Sequence, residues 1–169
     1  MLKMKKSYFF ITVLSVLIFS CAGASAISEA QQKSIMKNCK RIRETLKGIQ
    51  RSDTSARTDY LPSIYDEVLG SFMIPLNSRL LKNDQNNELL SINQEDFAKV
   101  YSEFKTDFVT YSRSMEKLLS INCEENPNDF YSQLEIVRTD REYINLDTEK
   151  MSQIIETQKN YVEQLKENL

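Results

Sequence analysis

From Pro127 to Leu169 the chain contains no glycine, and no proline after the first position, while apolar side chains return every three or four residues. The run is Phe130, Leu134, Val137, Arg141, Ile144, Thr148, Met151, Ile155, Gln158, Val162 and Leu165. Alternating three- and four-residue steps place all of these on one face of a helix, whereas a strand would need steps of two. Such a helix would be roughly 60 Å long at 1.5 Å per residue. A helix of that length with a single apolar stripe must lie beside other long helices, and this restricts the fold more than any other feature. Arg141, Thr148 and Gln158 interrupt the stripe. They suit either a bundle edge, where the Arg141 stem covers apolar surface, or positions that set the register of a coiled coil.

The rest of the chain has the same character. Only three glycines and three prolines occur in 169 residues, too few for the turns of a small β-sandwich or for a glycine-rich nucleotide fold. Ser28 and Gln31 have capping-box spacing ahead of the stripe Ile35, Cys39, Ile42, Leu46 and Ile49. The polar run from Arg51 to Ser55 reads as a turn or as a solvated bend in a continuing helix. A second stretch follows with Leu61, Tyr65, Val68, Leu69, Phe72, Leu76 and Leu80; Pro62 marks a start or kink, and Pro75 a kink. Lys82 to Asn87 reads as an exposed connection. A third helix is expected with Asn93 as its cap and Phe97, Tyr101, Phe104, Phe108, Tyr111, Met115 and Leu118 on its buried face. After a break from Ser120 to Asn126, Pro127 at the first helical position opens the last helix. The expected fold is an all-α, elongated antiparallel three- or four-helix bundle with coiled-coil character. A single domain is expected over residues 27–169.

Residues 1–26 read as a signal peptide. Lys3, Lys5 and Lys6 precede an apolar core from Tyr8 to Phe19, and Ala24-Ser25-Ala26 supplies small residues for cleavage after Ala26. The core is short for a membrane span. An uncleaved anchor is one alternative. Lipidation at Cys21 is another: Ser20 fits it and bulky Phe19 does not. Cleavage would leave 19 basic against 24 acidic side chains, a net charge of −5, and no transmembrane segment. That balance argues against nucleic acid, whose binders neutralise phosphate, and against an anionic membrane surface. The basic run Lys37 to Arg43 reads as a solvated helix face.

Two cysteines then remain, Cys39 and Cys123. An even count in an exported chain favours a disulfide between them; the alternative is two small buried residues on helix seams.

No catalytic constellation assembles. The chain has no histidine, so an imidazole base, a histidine metal ligand and the E-x-x-H pairs of diiron bundles are missing. No phosphate-binding loop motif occurs. Asp96, Glu103 and Asp107 read as a charged flank of the third helix, and Asp140, Asp147 and Glu149 as solvated. No cofactor, metal or catalytic residue is expected, and the chain reads as a non-enzyme.

Several stretches carry a family resemblance. Asn38-Cys39 through Gln50-Arg51-Ser52-Asp53, Phe72-Met73-Ile74-Pro75-Leu76-Asn77-Ser78-Arg79-Leu80 and Asn122-Cys123 resemble segments of uncharacterised exported helical proteins of candidate-phyla bacteria, the Saccharibacteria above all. This resemblance implies a protein at the outer face of a cell attached to a host bacterium. Length, signal and long helices are also similar to Skp-type periplasmic chaperones, which are strongly basic. The expected function is protein–protein contact in adhesion, assembly or scaffolding at the envelope or cell surface. The alternatives are a holdase for exported clients and a small-ligand binder or enzyme using the aromatic seam. Self-association or partner binding is expected on the last helix at Met151, Ile154, Ile155, Tyr161, Val162 and Leu165, which extend the stripe past the expected reach of the third helix.

Overall fold

The first helix does not stop at the polar run. In this computed structural model, which describes residues 27–83 and 88–167, the backbone stays helical from Glu29 to Lys82. The signal segment with Cys21 and the cleavage site, and residues 84–87 of the expected connection, lie outside the described residues. The rod comprises α1 (Glu29–Thr54), a π-helical segment π1 (Ser55–Tyr60), α2 (Leu61–Glu67), a second π segment π2 (Val68–Met73) and α3 (Ile74–Lys82). α4 (Glu88–Ser120) runs back, and α5 (Pro127–Glu167) runs forward again. The fold is all-α with no strand among the described residues: three antiparallel helical units, because the two helices expected before α4 are one. None of the described helices is long and apolar enough to cross a membrane.

Each end has a local cause. Ser28 accepts from the Gln31 amide at 3.3 Å while Gln31 Oε1 accepts from the Ser28 amide at 2.9 Å, closing the capping box. Pro127 opens α5 as expected, and Phe130 N–H bonds back to the Asn126 carbonyl at 3.0 Å. Asn122 Oδ1 accepts from the Glu124 amide and folds the short link. α4 begins earlier than expected, at Glu88, so Asn93 is a buried mid-helix residue and not a cap.

The two π segments sit in identical positions, each ending two residues before a proline. A proline lacks the N–H that would reach back four residues, and its ring crowds that carbonyl. Widening the turn relieves the crowding: Leu61 N–H bonds to the Ala56 carbonyl and Ile74 N–H to Leu69, five residues back in each case. Each π turn also inserts one residue into the heptad count. Cys39, Leu46 and Asp53 are buried at steps of seven; Tyr65 and Met73 follow at twelve and eight, one more than the regular eleven and seven. The expected seam through Phe72 is therefore displaced by one position. Phe72 is 44% exposed and Met73 is 0% exposed.

The rod is fixed to α4 along its length. Cys39 and Cys123 form the expected disulfide, with Cα atoms 5.6 Å apart. Arg43, in the run read as a solvated face, instead donates to the Leu119 and Ile121 carbonyls at 2.8 and 3.3 Å, covering the C-terminal end of α4. Further along, Tyr65 meets Phe97, Tyr101 and Phe104 edge-on at 5.9, 5.5 and 5.8 Å between centroids. Tyr101 Oη donates to the Pro62 carbonyl at 3.4 Å, and burial pushes its phenol up to about 12. At the far end Asn77 Nδ2 donates to the Leu90 carbonyl and to Gln94 Oε1.

Two outcomes follow for unfolding experiments. Met73→Ala should cost about 2–5 kcal/mol, as for other fully buried large side chains, while Phe72→Ala should cost under about 1 kcal/mol. Chemical denaturation of both variants checks the register, and the reverse order would place the seam on Phe72. Replacing Cys39 and Cys123 by alanine should lower stability by at most ~4–5 kcal/mol, the loop-closure value for so long a loop.

Candidate functional site

The central polar layer begins with Asp53, which lies in the run that the sequence marks as a turn or bend. One heptad beyond Leu46 and just ahead of π1, it is 7% exposed. Arg141 of α5 forks onto it, Nε to Oδ2 at 3.0 Å and Nη2 to Oδ1 at 3.1 Å, and Tyr111 of α4 donates its hydroxyl to Oδ2 at 2.6 Å. One carboxylate thus joins all three helical units. Arg57, inside π1, donates to Asn145 Oδ1 at 2.9 Å. Burial lowers its guanidinium pKa and the Asp53 charge opposes that; the hydrogen bond to Asp53 raises that of Arg141. Burial, then the bond to Asp53, holds the Tyr111 phenol well above the ordinary tyrosine range.

Arg141 therefore does more than lie at an edge. Its side chain is 43% exposed, so the head is partly wet while the fork is held. Thr148 donates to the Ile144 carbonyl at 2.9 Å. Gln158 is fully buried and accepts from Asn93 Nδ2 at 3.2 Å. Both oxygens of Asp53 are bound, Oδ1 by Arg141 and Oδ2 by Arg141 and Tyr111, and this shared carboxylate ties the three units in one register.

Concavities lie between α1 and α5, where one of about 320 Å³ is lined by Ile42, Leu46 and Leu134, and along the length of α4 and α5. Three successive concavities, of about 450, 280 and 330 Å³, are lined by these two helices alone, with no residue of the rod. The first contains Asp96, Lys99, Glu103, Lys150 and Ile154. The second shares Glu103 and Lys150 and adds Asp107, Tyr143 and Asp147; the third holds Arg113, Lys117, Ile136 and Asp140. Asp147, expected to be solvated, is 3% exposed, with Lys150 Nζ on its Oδ1 at 3.2 Å. Asp140 is half-buried and Glu149 exposed, as expected for Glu149 alone. No group of three or more potential metal-ligating side chains occurs among the described residues.

The stripe expected as an interface is placed differently from residue to residue. Met151 is 0% exposed and belongs to the chain's own core. Ile154 and Ile155 pack against that core, and Tyr161, Val162 and Leu165 are half-buried. The early start of α4 and the continuous rod carry covering side chains further than the seam counts imply.

Comparison of the chain with protein-family profiles, with curated proteins and with solved structures finds no match.

Removing the shared carboxylate strands a cation and a hydroxyl. Asp53→Ala should cost about 3 kcal/mol, at the low end for broken buried pairs because Arg141 is partly exposed. Replacing the pair together, Asp53→Leu with Arg141→Met, should recover most of that loss. Urea unfolding of the single and double variants measures both. Stability should also fall in strong base: the raised Tyr111 pKa favours the folded state below the ordinary phenol value of 10.0, and this contribution drains as the pH climbs above it.

Proposed function

We propose that this is an exported envelope or cell-surface protein that works by protein–protein contact, in adhesion, assembly or scaffolding, and not by catalysis. The observation that carries the reading is the open α4–α5 groove. It mixes charges of both signs with Val100, Ile136, Tyr143 and Ile154, and the rod leaves it uncovered. Tyr143 and Ile136 are 54% and 48% exposed. A long groove with apolar side chains between charged rims suits a helix laid into it. The signal-like N-terminus and the resemblance to exported proteins of candidate-phyla bacteria support the location. The half-buried end of α5 at Tyr161, Val162 and Leu165 remains the place for self-association; Met151, being enclosed, does not take part.

Crosslinking on living cells followed by mass spectrometry tests the proposal. Envelope or neighbouring-cell surface proteins should dominate, with crosslinks at Lys99, Lys117 and Lys150 along the groove. Tyr143→Asp with Ile136→Asp should remove those crosslinks while leaving the helical circular dichroism unchanged. Capture of many unrelated unfolded clients would contradict the proposal and favour a holdase.

A further inference from the structure

The middle of the α4–α5 groove contains an acid-rich cluster with an unmet bonding need. Asp147 is almost fully enclosed, and its Oδ2 is buried without a hydrogen-bond partner. Its other oxygen is taken by Lys150. A buried carboxylate oxygen is expensive to leave without a donor. Asp107 of α4 lines the same concavity as Asp147. Two carboxylates that share one concavity repel each other unless one carries a proton, and a protonated carboxyl is a donor.

We propose that Asp107 and Asp147 hold one proton between them, so that the middle of the α4–α5 groove is drawn together in acid and pushed apart as the pH rises. The proton sits on Asp107 and its O–H points to Asp147 Oδ2; Lys150 occupies the opposite oxygen. The device is independent of what the groove binds.

The surroundings act in the same direction. Asp107 faces Glu103 on its own helix, and on α5 Asp140, Tyr143, Asp147 and Lys150. Asp140 lies one heptad before Asp147 and also has a buried Oδ2 without a partner. The Asp107 carboxyl is pushed above its ordinary value of 3.8, first by burial, then by the Asp147 charge and hydrogen bond, and last by Glu103 and Asp140. Among the described residues Lys150 is the one cation lining this concavity, and its side chain is 53% exposed, which weakens its compensation. The sign follows from proton linkage. A carboxyl whose folded pKa is raised gives its full contribution below 3.8, and that contribution is lost as the pH climbs through the folded value.

The test is a carbon-13 carboxyl NMR titration of the full chain, with thermal melts of Asp107→Asn and Asp147→Asn across the acid to neutral range. Asp107 should titrate above 3.8 in the wild-type chain, and its midpoint should move down in Asp147→Asn. The carboxamide of Asp107→Asn mimics the protonated donor, so that variant should exceed the wild-type Tm at neutral pH. The wild-type minus variant difference in Tm should shrink toward acid. An Asp107 midpoint at or below 3.8 would overturn the proposal even if a variant failed to fold. So would an unchanged midpoint in Asp147→Asn, or a Tm difference that does not vary with pH.

Discussion

A proline inside a helix leaves one carbonyl without its donor and presses a ring against it. In this chain that happens twice along a rod whose apolar face must stay on α4 and α5. Breaking the helix would have ended the contact; a π turn keeps the backbone helical and shifts the bonding by one residue. The inserted residue also turns the downstream face, and the sequence is written to match that turn. Tyr65 and Met73 stand where the shifted count requires buried side chains, and Phe72 stands outside. The aromatic contacts of Tyr65, the enclosure of Met73 and the Asn77 bonds to α4 all depend on this compensation.

The polar layers work with it. A uniform apolar seam can slide by a heptad at small cost, whereas Asp53 can satisfy Tyr111 and Arg141 in one register only. This layer lies immediately before π1, and the Asn93–Gln158 bond lies near the opposite end of the bundle. With the Cys39–Cys123 link at the near end, the three units are fixed at the ends and in the middle. The groove between α4 and α5 stays open, and there charges of both signs replace apolar packing.

The helices and their antiparallel order are legible in the sequence because steps of three and four with few glycines or prolines admit little else. The capping box, the Pro127 start and the cysteine pairing are legible for equally local reasons. Continuity of the rod is not, since a proline in an apolar stretch announces a disturbance but not whether the turn widens or breaks. The one-residue shift at Met73 has the same origin. Asp53 is hidden by its neighbours: in a run of Arg, Ser, Thr and Ser, a carboxylate reads as solvent-facing. Its heptad spacing from Cys39 and Leu46 is the signal that would find it. Asp107 and Asp147 are hidden too, because a flank position becomes a half-buried or buried one only when the partner helix is placed. The enclosure of Met151 is hidden in the same way, since α4 starts at Glu88 and not at Asn93 and so reaches further along α5.

The continuity of the rod is tested most directly by a pulsed electron spin resonance distance between nitroxide labels at Thr45→Cys and Leu81→Cys, both exposed sites on either side of the two prolines. A helix that passes through Pro62 and Pro75 on widened turns predicts a single narrow distribution centred at roughly 50 Å. A distribution centred under about 40 Å would mean that the chain bends sharply or folds back at one of the prolines, which contradicts a continuous rod.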